Sequence, residues 1–322
     1  MAVYDGRSAH ARANERKSSL ISRTLLWAAE KPSIKRIVSQ GKLGQSVVQR
    51  FVAGDDLEDA VEAIKELNGK KIGGILDLLG EEVHTHADVE AAVQDYLAAI
   101  KRIDETGIDT TISVKPTQLG LAFDKGAALD HLRRLCAEAQ AVGSHVEIDM
   151  EASEYVSDTL DLYRTLHADF PEIRQAIQTC LRRTPVDLQL MANLRPRIRL
   201  VKGAYAEPEA VAFKKRIEID GQYRFLIDWL FEQGADPAFG THDHKLIEYA
   251  KNAAARANVG KDSFEIQMLY GIRRDLQEEL ANEGFRVRVY VPYGEAWYPY
   301  LMRRMAERPA NVKFFLRALA GH

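Results

Sequence analysis

Eight short apolar runs recur along the chain, and they restrict its fold more than any other feature. They are Ile72–Leu79, Ile108–Val114, His145–Met150, Ile173–Cys180, Ile198–Val201, Ala238–Thr241, Phe264–Leu269 and Val287–Val291. Between them lie stretches of helical periodicity such as Asp56–Asn68, Ala87–Arg102, Gly126–Val142, Tyr155–Phe170, Leu181–Leu194 and Ala210–Gln233. Strands that alternate with helices build right-handed βαβ units around a parallel sheet. Eight such units over roughly 230 residues fit a closed (β/α)8 barrel. A doubly wound open sheet is the structural alternative.

The chain has 322 residues, 46% of them hydrophobic, enough to bury a large core. A formal net charge of −3 provides no basic field and argues against a nucleic-acid partner. The two cysteines, Cys136 and Cys180, form no disulfide framework and no CxxC pair, which suits a reducing, cytoplasmic setting. No apolar run approaches the ~18 residues of a membrane span, and Arg23 interrupts Leu20–Ala29, so neither a span nor a signal peptide is expected. Residues 1–52 read as a helical arm and 53–322 as the barrel. In the arm, Arg23, Lys31, Lys35 and Arg36 flank apolar positions, a pattern that fits a core-facing helix or a peripheral contact with the inner face of a membrane. Nothing in the sequence specifies an oligomeric state.

Each apolar run ends in a polar group: Asp77 with Glu81, Lys115, Asp149 with Glu151, Gln178, Lys202, His242, Gln267 and Tyr290. Barrel enzymes carry their chemistry at these ends, although loops there are polar in any case. GxGxxG, GxxxxGK[ST], HExxH and GxSxG motifs are all absent, which disfavours Rossmann, P-loop, zinc-protease and serine-hydrolase readings. His84 and His86 have no acidic or thiol partner on a shared element, so no metal is expected. In RLVKGAY, Arg199 and Lys202 are three apart and face opposite sides of a regular strand, so they share a ligand only if the strand ends or bulges between them. After Pro292 and Gly294, a helix places Tyr300, Arg303, Arg304 and Glu307 on one face. That face is either solvated or a bidentate clamp for a small carboxylate or phosphate.

YVPYG from Tyr290, YLMRR from Tyr300, SVK ending at Lys115, IDME from Ile148, Gln178, RLVKGAY, Thr241 with His242, and QMLYG from Gln267 occur in an order that resembles the flavin-dependent proline dehydrogenases, of the monofunctional bacterial type. The resemblance spans about Phe51 to Val312. It implies a barrel that binds FAD non-covalently at its carboxyl face and oxidises L-proline to 1-pyrroline-5-carboxylate, with electrons passed to a quinone or other acceptor. It also implies that Met150, Gln178, Arg199, Lys202, Gly203, Ala204, Thr241 and His242 contact the flavin, with Asp149 and Arg199 catalytic. Lys115, Arg303 and Arg304 would hold the substrate carboxylate, with Tyr290 and Tyr300 lining the ring. Lys115, depressed by the arginines, would be a candidate acceptor for the amine proton. Asp243 after Thr241–His242, the QTC of Gln178–Cys180, and Arg216 in place of a lysine depart from the family's commoner pattern. The readings that compete with it are a flavin barrel reductase that uses a nicotinamide donor and a catalytically silent amino-acid-binding barrel.

Overall fold

The structure, a computed structural model, describes residues 48–80 and 83–307, and of 303–307 the backbone alone. The chain divides into two compact units, Ala53–Gly294 and Met1–Val52 with Glu295–His322, each taken by itself.

In the first unit eight parallel strands close a barrel in chain order: β1 Gly73–Leu78, β2 Thr110–Val114, β3 Val146–Ile148, β4 Arg174–Gln178, β5 Ile198–Val201, β6 Ala238–Gly240, β7 Glu265–Leu269 and β8 Arg286–Tyr293. β1 pairs with β8 along the whole of β1, so the sheet closes without a free edge, and the (β/α)8 expectation holds over the open sheet. Helix Leu57–Asn68 precedes β1, and helices His86–Thr106, Lys125–Ala141, Val156–His167, the short Thr184–Gln189, Arg216–Gln233, His244–Arg256 and Arg274–Asn282 connect the strands in turn.

Local chemistry sets where the helices begin. Thr85 and Asp88 cap His86–Thr106 reciprocally, with Asp88 accepting the Thr85 N–H at 2.8 Å. Asp124 Oδ1 accepts the N–H groups of Gly126 and Ala127 at 2.8 and 3.1 Å. Alternate strand residues turn outward: a Cβ on Gly74 would stand 2.7 Å from Ile64 Cγ1, so the missing side chain lets helix Leu57–Asn68 lie close to β1. Leu76, Ile112, Val114 and Leu132 are fully buried, each contributing about 1.5–3 kcal/mol of transfer free energy.

Two expected helices are shorter than their periodicity suggests. The stretch Leu181–Leu194 contains the helix Thr184–Gln189, with Pro185 in its first turn, and a 3-10 turn at Ala192–Leu194. The helix expected from Ala210 starts at Arg216. The preceding segment pairs instead with the β4 loop, where Arg182 N donates to Val211 O at 2.9 Å and Phe213 N to Cys180 O at 2.7 Å. That pairing satisfies the backbone without a helix.

In the second unit Trp297–Glu307 is a helix, as expected, and contains Tyr300, Arg303, Arg304 and Glu307. The side chains of Arg303, Arg304 and Glu307, Glu81, and residues 1–47 of the arm lie outside the described residues. Among the described residues, no helix is long and apolar enough to cross a membrane.

Candidate active site

The barrel interior is charged where branched apolar side chains are usual. Gln267 on β7 donates to both Glu147 oxygens on β3 at 3.1 Å. Those strands are not neighbours, so the contact crosses the interior. Arg174 on β4 reaches Glu265 on β7 at 3.0 Å and Glu147 at 3.2 Å. Toward the amino ends of the strands, Asp236 accepts from Arg174 at 2.8 Å, from Arg286 at 2.5 Å and from Arg197. Arg288 donates to Glu265 at 3.1 Å and to Gly74 O and Asp109 at 2.9 Å. Its guanidinium fits because β1 carries a glycine opposite: a Cβ on Gly73 would lie 2.6 Å from Arg288 Nη1.

Above this layer four strands bring Ser113, Lys115, Asp149, Arg199 and Tyr290 together. Arg199 donates to Glu147 and to Ser113 Oγ, each at 3.2 Å, and through Nη2 to Asp149. Ser113 Oγ and Tyr290 OH donate to the two Asp149 oxygens at 2.9 and 2.8 Å. Lys115 Nζ donates to Asp77 at 2.5 Å and stands 3.4 Å from Asp149 Oδ2. Burial pushes the Asp149 carboxyl up, but the Arg199 and Lys115 cations, with the bonds from Tyr290 and Ser113, hold it below the usual carboxylate range. Burial raises the Asp77 carboxyl against the pull of Lys115, and repulsion from the Asp149 charge adds to the rise. For Lys115 burial pulls downward, and Asp77, Tyr290 and Asp149 together overcome it, leaving the ammonium well above its ordinary value. These described neighbours favour the protonated ammonium, while the Arg303 and Arg304 side chains, from which the depression is expected, lie outside the described residues. Burial, reinforced by Asp149 and Asp77, likewise keeps Tyr290 protonated.

At the rim, Gln178 Nε2 donates to Met150 O at 3.2 Å and Glu151 O at 2.8 Å, holding the β3 loop. Thr241 Oγ1 accepts the Asp243 N–H at 3.1 Å, and His242 Nε2 accepts the Leu269 N–H at 2.8 Å. Gly203 and Ala204 are exposed. Gly203 has φ 103°, and a Cβ there would lie 2.3 Å from Cys180 Sγ and 2.7 Å from Gln178 Oε1, so only glycine lets the β5 loop pass over β4. β5 ends at Val201, and Arg199 and Lys202 diverge: Arg199 turns into the barrel, while Lys202 bonds Asp220 at 2.5 Å and Asp243 at 3.2 Å. Arg216 joins that second group, 2.5 Å from Asp243.

Ser113, Glu147 and Arg174 were not among the sequence candidates, and Asp77 was only a polar strand end. Their signal is polarity at every second strand position: Thr111, Ser113 and Lys115; Glu147 and Asp149; Arg286, Arg288 and Tyr290.

The proline dehydrogenase family model matches residues 60–317. The chain belongs to the proline dehydrogenase family. A proline dehydrogenase of Deinococcus radiodurans is 37% identical over 305 residues, 93% of this chain and 98% of that protein. Proline dehydrogenase 1 of Bacillus subtilis is 40% identical over 271 residues, 84% of this chain and 90% of that one. Among solved structures, proline utilization A from Bdellovibrio bacteriovorus superposes with a TM-score of 0.78 at 23% identity, over 85% of this chain and 34% of that longer one, and shares the fold.

Proposed function

We propose that this protein oxidises L-proline to 1-pyrroline-5-carboxylate with non-covalently bound FAD at the carboxyl end of the barrel, passing the electrons to a quinone or similar acceptor. The observation that carries the reading is the quartet of buried Lys115 and Arg199 with half-buried Asp149 and Tyr290, drawn from four strands, in a chain of this family. Residues 53–322 make up the catalytic part and 1–52 an arm. The setting is cytoplasmic, with a peripheral membrane contact where a membrane quinone is the acceptor.

The rim suits a flat ring with polar edges. Gly203 presents bare backbone beside the Gln178 amide, and the Lys202 and Arg216 cations stand nearby for phosphate groups. On this reading Met150, Gln178, Arg199, Lys202, Gly203, Ala204, Thr241 and His242 hold the FAD, which when bound supplies the two-electron acceptor for the hydride. Lys115, with Arg303 and Arg304 from the Trp297–Glu307 helix, takes the substrate carboxylate, and Tyr290 and Tyr300 line the ring. An incoming carboxylate replaces the 3.4 Å contact of Lys115 with Asp149, while the 2.5 Å bond to Asp77 keeps the ammonium in place. Asp149, held ionised, fixes both the Tyr290 hydroxyl and the Arg199 guanidinium. Arg199 would then offer positive charge beside the flavin ring, where negative charge would develop when the ring accepts the hydride.

The purified protein is expected to be yellow, to bleach anaerobically with L-proline and not to bleach appreciably with NADH. A colourless protein that refuses added FAD overturns the reading, and rapid bleaching by NADH turns it into a reductase. Removing either Arg303 or Arg304 is expected to lower kcat/KM by about 30-fold to 1,000-fold, from roughly 2–4 kcal/mol of charge-assisted contact. Loss within about twofold would make that face a solvated surface.

A further inference from the structure

We propose that Glu147 is the positioning residue for Arg199, a role that rests on the reading of Arg199 given above. Glu147 and Asp149 are two apart on the same chain segment, so both side chains point into the barrel, one beneath the other. Arg199 lies between them. It donates through Nη1 to Glu147 Oε2 at 3.2 Å and through Nη2 to Asp149 Oδ1. The two carboxylates differ in what else they do. Asp149 also serves Tyr290, Ser113 and Lys115, groups at the open end whose contacts must shift when substrate enters. Glu147 is 0% exposed, and apart from Arg199 it meets scaffold groups: Arg174 at 3.2 Å, Gln267 at 3.1 Å to each oxygen, the Thr111 hydroxyl at 3.1 Å and, farther off, His145 Nε2 at 3.9 Å.

Those bonds draw on β2, β4 and β7, so the Glu147 carboxylate is braced from three strands besides the one that carries Arg199. It is therefore the fixed end of the Arg199 contact, and Asp149 is the adjustable end. When Asp149 exchanges partners during a turnover, Glu147 keeps the guanidinium from swinging away. Arg174 serves the same arrangement from below, pinned in turn by Glu265 and Asp236, so Glu147 cannot follow Arg199 upward.

The test uses the FAD-loaded enzyme and its flavin-free form. Glu147→Gln keeps the side-chain shape and removes the charge. Flavin reduction at saturating proline is expected to slow about 10-fold to 100-fold while KM for proline changes less than about twofold, the loss typical of one hydrogen bond to a charged group. The Glu147→Gln/Arg199→Ala double variant is expected to be no slower than Arg199→Ala alone, because Glu147 acts through Arg199. In flavin-free protein labelled at arginine, the Arg199 Nη1–H that bonds Glu147 is expected to lose hydrogen-exchange protection at least about tenfold, which reads position without turnover.

Thr111→Val, which removes one neutral bond to Glu147 and no charge, covers a failure of Glu147→Gln to fold. It is expected to slow reduction about two- to fivefold, again only when Arg199 is present. A wild-type reduction rate in Glu147→Gln, or in Thr111→Val should Glu147→Gln not fold, overturns the proposal. So does a double variant that is slower by the product of the single effects, or unchanged Arg199 exchange. If proline fails to reduce the flavin of the wild-type enzyme, the functional reading fails instead, and the exchange measurement still decides what holds Arg199.

Discussion

The two ends of the barrel handle buried charge differently. At the amino end, Arg174, Arg197, Arg286 and Arg288 meet Asp236, Glu265, Glu172 and Asp109, and each guanidinium has more than one acceptor. At the carboxyl end one ammonium, Lys115, is shared by two carboxylates, Asp77 and Asp149. Matched charge that satisfies itself builds a floor. A cation shared between two acceptors changes partners at smaller cost, and in the proposed function Lys115 is the one that meets the substrate carboxylate. One continuous chain of side chains thus grades from scaffold to site.

The sharpest way to break this contrast is to remove Arg174, which is fully buried among Glu147, Glu265 and Asp236. Arg174→Met is expected to cost about 3–5 kcal/mol of stability by chemical denaturation, because it leaves carboxylates buried without their cation, while proline affinity of the folded fraction changes little. Loss of proline binding at unchanged stability would erase the distinction between the ends. Lys115→Met probes the other end. It is expected to lower kcat/KM for proline about 10-fold to 150-fold, an effect of about 1.5–3 kcal/mol, with a smaller loss of stability than Arg174→Met. Greater instability in Lys115→Met would mean that this group, too, is scaffold.

A finer probe is pH. Burial, with Arg174 nearby, pushes the His145 imidazole down to about 3. The unfolded chain binds that proton below about 6.5 and the folded chain does not, so stability falls as pH drops from about 6.5 toward 3, by at most about 1.4 kcal/mol per unit. His145→Gln is expected to flatten this slope, seen as a loss of about 1–2 kcal/mol smaller than in wild type between pH 7 and pH 5. A parallel decline in both proteins would place the acid sensitivity elsewhere in the amino-end network.

The barrel and its strand order were legible because the apolar runs are outward faces packed on helices, and packing dictates periodicity. The interior was not. Arg288 and Tyr290 alternate with Val287, Val289 and Val291, and a polar residue in that pattern reads equally as solvent-facing. Only barrel closure turns that row inward, a tertiary fact that local spacing does not contain. The same limit left Arg199 and Lys202 as a pair that would converge or not. Lys115 stood out as a strand-end cation, but its protonation depends on Asp77 and Asp149, which lie 38 and 34 residues away in sequence.

The empty side of Gly73 has a consequence for how this chain can change. Gly73 and Arg288 occupy one volume across the seam where the first and last strands meet, so neither position drifts freely. An alanine at 73 displaces the guanidinium and strips Glu265 of a donor, whereas a shorter residue at 288 leaves a polar hole beside Gly74 O. A substitution at 73 is tolerated as far as the end of the Arg288 side chain can shift, and most readily when 288 changes with it. A library that randomises the two positions together should recover folded barrels that single-site libraries miss.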